Sequence, residues 1–191
     1  MGQLISFNER SNKEVKRRIN LGWNKFWSLK FILKNKSIDL RSKINIFKSC
    51  VTPVLTYGSQ TWSITKNLYN KLETTQRAML RSILEIKKQD RVRNETIYYK
   101  TKIKNIVSNI KTLKWKWAGH VYRQEDGRWT KKVTEWCPID KKRRKGRQNA
   151  RWSDDIKNFA GNEWSTPHNK RQKPMERNWR GLCPIMASTI L

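Results

Sequence analysis

The sequence predicts an all-α fold, and three observations carry that prediction. Apolar residues recur at alternating steps of three and four along four long segments, the spacing of helices with one buried face. Only "VLTYGSQTW" (54–62) mixes β-branched, aromatic and glycine residues in the manner of an extended segment or irregular turn. The chain of 191 residues is long enough for one sizeable core or two small helical subdomains. The expected architecture is an N-terminal unit of three helices over about 1–90. A looser, basic, partly helical region follows over 91–160, and then an irregular tail over 161–191.

The first helix is expected over 13–34. Val15, Ile19, Gly22, Phe26, Leu29 and Leu33 share one face there, widened by Trp23 and Trp27, while Lys16, Arg17, Lys25 and Lys30 lie off that face or at its margins. A second helix begins near Asp39, with Leu40, Ile44, Phe47 and Val51 as its face, and is disturbed near Pro53. Thr65 is a suitable N-cap for a third, whose face is Leu68, Leu72, Met79, Ile83 and Ile86. The polar run "KKQDRVRNE" (87–95) is a connector, with Asn94 capping a short helix through Tyr99. From Ile103 the pattern is regular again through Ile106, Ile110, Leu113, Trp117 and Val121. In that helix Trp117 falls in the apolar stripe, whereas Trp115 is about 200° from Trp117 and points to the other side. "DKKRRKGRQNAR" (140–151) reads as a basic loop, and Ser153 as the N-cap of a short helix. The tail carries Pro167, Pro174 and Pro184 and little expected regular structure.

Charge narrows the function. Lys and Arg total 43 against 15 acids, for a formal charge of +28, and the excess is even along the chain: 21 basic and 7 acidic residues in 1–100, 22 and 8 in the rest. Such a chain repels itself until a polyanion neutralises it, and nucleic acid is the expected partner. No apolar run approaches the roughly 20 residues that span a bilayer. The start turns charged after Met-Gly-Gln and lacks a signal peptide's apolar core. Cys50, Cys137 and Cys183 are odd in number and far apart, so neither a disulfide framework nor a zinc knuckle is expected. An unsecreted, membrane-free protein of the nucleus, or alternatively of the cytoplasm, is expected from these features, the run "KKRRKGR" (141–147) having the form of a nuclear import signal.

Two clusters invite a catalytic reading, and each has a simpler one. Asp154-Asp155 in "RWSDDIK" has the clustered carboxylates of two-metal phosphoryl transfer. A metal-binding turn of that kind joins two apolar strands, however, and this pair precedes an amphipathic helical pattern. It reads as the acidic first turn of a helix. His120 with Glu125 and Asp126 has no second histidine nearby and no HxxxH or HxxE spacing, and reads as a helix end and the turn beyond it. Neither form of glycine-rich nucleotide loop occurs. No catalytic residue, metal ligand or cofactor is therefore assigned. The candidates for nucleic-acid binding are Lys13, Arg17, Arg18 and Lys25 on the first helix, Arg143, Arg144, Lys145 and Arg147 in the basic loop, and Trp115 as a stacking ring.

A series of motifs then carries a resemblance. "GQLIS" (2–6), "EVKRRINLGWNKFWSL" (14–29), "PVLTYGSQTW" (53–62), "QRAMLRSIL" (76–84), "WKWAGHVYR" (115–123), "RWTKKVTEW" (128–136) and "KGRQNARWSDDI" (145–156) resemble, in this order, the region downstream of the polymerase palm in non-LTR (LINE-like) retrotransposon reverse transcriptases, insect endonuclease-reverse transcriptases in particular. The resemblance covers about 2–160, with an echo at "ERNWRGL" (176–182), and the sequence departs from the family pattern after Trp164. It implies a thumb and C-terminal region of an RNA-directed DNA polymerase, without the endonuclease, fingers or palm. "RWSDDI" then matches a post-palm motif rather than the catalytic turn. On this reading the chain does not polymerise alone. Its helices contact the phosphates of a template-primer duplex of RNA or DNA, beside the remainder of a reverse transcriptase. Three rival readings stand next to it. One is a domesticated host RNA- or DNA-binding adaptor. Another is a metal-dependent nuclease built on His120, Glu125, Asp126, Asp154 and Asp155. The last is a non-functional remnant.

Overall fold

The computed structural model describes residues 10–124, 129–135 and 151–160. The fold is all-α, and no strand occurs among the described residues. Helix α1 spans Arg10–Ser28, and a single turn, α2, follows at Lys30–Leu33. The helix predicted over 13–34 is thus interrupted once, at Leu29, whose φ of −102° and ψ of 13° leave the helical range. Its buried face is the expected one: Val15, Phe26 and Leu33 are inaccessible to solvent. Trp23 packs against that core, but Trp27 is 47% exposed and does not widen the apolar face.

Helix α3 (Leu40–Ile46) begins where Asp39 accepts a hydrogen bond from the Ser42 backbone N–H at 2.9 Å, the N-cap arrangement. Hydrogen bonding to Ser42 holds the Asp39 carboxyl below its ordinary range, with the Ser42 side chain the first contributor and the Ser42 backbone the second. Leu40, predicted on the buried face, is exposed. The chain then makes a π-helical turn, Phe47–Val51, before α4 (Thr52–Thr56). Pro53 explains this detour, because its ring would clash with the carbonyl four residues back in a regular helix. The wider turn places Pro53 in the first turn of α4, where no backbone N–H is needed. Helix therefore runs on to Thr56, and the irregular segment predicted over 54–62 is confined to its second half. There Gly58 takes φ 72° and opens a 3₁₀ turn, Ser59–Thr61.

Helix α5 (Lys66–Ile83) buries Leu68, Leu72, Met79, Leu80 and Ile83. Thr65 occupies its N-cap, although the hydroxyl makes no capping bond. Helix α6 (Asn94–Thr101) starts one residue earlier than a cap at Asn94 allows: Arg93 is the N-cap, and the Asn94 side chain accepts from Arg81 instead, at 3.2 Å. Helix α7 spans Ile106–Arg123, α8 Trp129–Glu135 and α9 Asp154–Ala160. Helix α1 packs on α4, the π turn and α5, while α6 packs on α5 and α3. Gly22 marks a close approach: a Cβ there would lie 2.9 Å from Leu55 Cγ and 3.7 Å from Met79 Cε.

Gln76 ties α5 to the start of α7. It is buried, donates to the Lys104 carbonyl at 3.1 Å and accepts from the Ile106 backbone N–H at 2.9 Å. Asn105 completes the entry to α7 by accepting from the Val107 N–H at 2.8 Å and donating to Glu73 at 2.5 Å. The Tyr98 hydroxyl reaches Gln76 Oε1 at 3.5 Å. Burial raises the Tyr98 pKa above its ordinary value, with Arg77 opposing and Glu73 adding to the shift.

The described residues fall into two compact units, 10–117 with 151–152, and 118–124 and 129–135 with 153–160. In the second unit, Lys131 Nζ lies 5.9 Å from the Tyr122 ring centre, and the Ser153 carbonyl accepts from the Ile156 and Lys157 N–H groups that open α9. The three prolines of the tail lie outside the described residues.

Candidate nucleic-acid interface

The outer face of α1 carries the candidate interface. At 100° per residue, Lys13, Lys16, Arg17, Asn20, Asn24 and Trp27 fall within about 100° of arc, opposite the Val15–Phe26 face. Lys13, Lys16, Asn20, Asn24 and Trp27 are exposed, and Arg17 is half-buried. The row runs about 21 Å along the helix axis, from fourteen steps of roughly 1.5 Å. Lys25 is also exposed, but it lies about 120° around the helix from Lys13 and does not join the row.

The two arginines of the first helix part company. Arg17 Nη1 donates to both Glu14 carboxylate oxygens, at 3.2 and 3.0 Å. Arg18 is 3% exposed. Its Nε donates to Glu14 at 2.6 Å, and its guanidinium lies 4.3 Å from the Tyr57 ring centre. Arg18 therefore belongs to the interior and leaves the set of surface cations. The physical reason is the carboxylate four residues earlier, which neutralises it, together with the aromatic face from the loop after α4.

Trp117, predicted in the core, is half-buried and meets Trp152 edge-on, with ring centres 5.2 Å apart. Trp115, also half-buried, is not brought into the α1 row. The buried stripe of α7 is centred on an unforeseen residue: Lys114 is 2% exposed, between Ile110 and Ala118. Its Nζ donates to the Trp62 carbonyl at 3.2 Å and lies 5.5 Å from the Trp152 ring centre. Trp152 Nε1 in turn donates to the Gln60 carbonyl at 2.7 Å. Lys114 thus anchors a junction between the loop before α5, α7 and Trp152. Arg143, Arg144, Lys145 and Arg147 lie outside the described residues.

His120 is exposed and pairs with the Gln124 side chain at 3.1 Å. Asp154 and Asp155 form the first turn of α9, as read from the sequence. Glu125 and Asp126 lie outside the described residues. Among the described residues no group of three His, Cys, Asp or Glu side chains gathers to hold a metal ion. No helix among them is long and apolar enough to cross a membrane.

The feature that sequence reasoning missed lies at the end of the α1 row. Trp27 and Phe31 expose their rings beside Lys30 and Lys34, and together with Asn35 they line an open groove of about 460 Å³. A signal for it existed. Trp27 shares the phase of Lys13 and Asn20, and Phe31, Lys30 and Lys34 follow at helical spacing.

No protein-family model and no solved structure matches the chain. Over 161 residues it is 32% identical to a transposon-derived protein of Caenorhabditis elegans, an alignment that covers 82% of this chain and 57% of that protein. The chain thus spans a little over half the length of this curated relative, and the similarity suggests a transposon origin.

Proposed function

We propose that this chain is a nucleic-acid-binding, non-catalytic part of a retrotransposon reverse transcriptase, a thumb-like helical unit that contacts the phosphates of a template-primer duplex. The observation that carries the reading is the cationic outer face of α1, where exposed Lys13 and Lys16 stand in one row with half-buried Arg17, on a chain with formal charge +28. Phosphate oxygens are the natural partners of such a row, because each cation that neutralises one releases a condensed counterion. Kinship with a transposon-derived protein and the succession of post-palm motifs support the polymerase context. Positioning rather than base reading is the expected role, since contacts to phosphates carry no sequence information directly. Lys25, off the row, and the basic run 141–147 of the sequence are further phosphate-contact candidates in this proposal.

The test is binding of the full chain to a primer-template duplex over a salt series. The expected result is submicromolar affinity at low salt that falls steeply, by about 0.9 log unit per phosphate contact for each tenfold rise in salt. Absence of binding at low salt, or a flat response, contradicts the reading.

A further inference from the structure

We propose that the groove at the α1–α2 junction takes an unpaired nucleobase from single-stranded nucleic acid, stacking it on Trp27 and Phe31 while Lys30 and Lys34 hold the adjoining phosphates. The inference rests on the nucleic-acid reading above and adds to it a site with a different preferred substrate, a strand whose bases are free.

Two large rings stand in solvent here, Trp27 at 47% and Phe31 at 71% exposure. The Trp27 ring is also held in place from behind. Trp23 stacks on it at 5.9 Å and 20°, and Phe26 meets it edge-on at 5.3 Å and 86°. A ring backed in this way is a preorganised platform, and a base that lands on it costs little further ordering. Lys34 Nζ lies over the Trp27 ring, 5.5 Å from its centre, so a cation already rests on the ring and must move aside to a phosphate when a base stacks there. The lining holds two cations and no carboxylate. Asn35 Oδ1 accepts from the Ser37 N–H and hydroxyl, at 2.9 and 2.7 Å, which leaves the amide N–H₂ to donate to a base or phosphate. The groove volume, about 460 Å³, lies in the range of small-ligand sites.

Charge selects the occupant. An apolar peptide or a lipid tail fits exposed rings, but neither uses two lysines and an amide donor at the rim. A paired duplex satisfies the lysines but keeps its base faces stacked on one another. A single strand offers both a π-face and a phosphate at each step, the combination that binding channels for single strands use.

The experiment compares three fluorescein-labelled probes of about 12 nucleotides with the full chain by anisotropy: oligothymidylate, an abasic strand of the same length and charge, and a blunt duplex. Oligothymidylate is expected to bind about fivefold or more tighter than the abasic strand. Trp27→Ala and Phe31→Ala are each expected to weaken oligothymidylate binding by about five- to one-hundredfold, and Trp27→Phe to restore most of the loss. Duplex affinity, driven by phosphates, should stay within about twofold in Phe31→Ala, whose ring lies outside the α1 row. Equal affinity for abasic and natural strands, or unchanged oligothymidylate binding in both alanine variants, overturns the inference while duplex binding leaves the parent reading standing. No binding of any probe at low salt overturns both. If Trp27→Ala fails to fold by circular dichroism, Phe31→Ala and the abasic comparison on the native chain decide the matter.

Discussion

Arg18 and Trp27 lie nine residues apart on the same helix, and each occupies the place expected of the other. The arginine is buried against Glu14 and Tyr57, while the tryptophan stands in solvent at the head of a cationic row. The difference teaches that residue type is a weak guide to position when a compensating partner lies within one helical turn. Glu14 neutralises Arg18 from the turn below, so burial leaves no naked charge. Trp27 is displaced outward because Val15, Gly22 and Phe26 already fill the face that meets α4 and α5. Lys114 repeats the first pattern on α7, where it donates to the Trp62 carbonyl.

The comparison can be broken at its buried end first. Glu14→Ala leaves Arg18 interior without its carboxylate, and we expect it to destabilise the fold by about 3 kcal/mol in urea denaturation. A loss below about 0.5 kcal/mol means that the pair is solvated in solution and that Arg18 returns to the surface set. Next in size is Gly22→Ala. Alanine elsewhere in a helix interior gains stability over glycine, but here its methyl group meets Leu55, so a net loss of about 1–2 kcal/mol is expected. A gain in melting temperature contradicts the close approach of α1 and α4.

At the exposed end the effect on stability should nearly vanish. Phe31→Ala is expected to shift stability by no more than about 0.5 kcal/mol, the range of surface substitutions. A larger loss places the ring in the core rather than in a binding groove. The smallest effect is a titration. The Asp39 carboxyl has a folded pKa below its unfolded value, so its capping contribution is complete above the ordinary carboxyl range near 3.8 and is lost as pH falls through the lower, folded value. Acid unfolding of Asp39→Asn, compared with the native chain, should lack that increment. Identical acid profiles leave the cap without an energetic role.

Much of the fold is legible in the sequence because helical faces are a local property. The stripes through Val15 and Phe26 and through Leu72 and Met79, and the start of a helix near Asp39, follow from spacing alone. What is not legible depends on partners distant in sequence or on backbone detail. The π turn before Pro53 lets helix continue through residues whose composition favours a strand or turn. Lys114 is buried because of a carbonyl 52 residues earlier, which no hydropathy pattern contains. Of the candidate interface, phase alone places Lys13, Arg17 and Lys25 outward, while Arg18 escapes that reading because Glu14 is its partner. The aromatic groove is easily passed over because ten tryptophans in a helical chain invite assignment to the core.

The central claim is that the α1 row grips phosphate, and the slope of duplex affinity against salt tests it most directly. For the full chain on duplex DNA, log K against log salt should fall linearly. Lys13→Ala with Lys16→Ala should make the slope shallower by about 0.9 for each phosphate no longer neutralised, with the fold unchanged. An identical slope in the native chain and the double variant places the phosphates elsewhere and contradicts the claim.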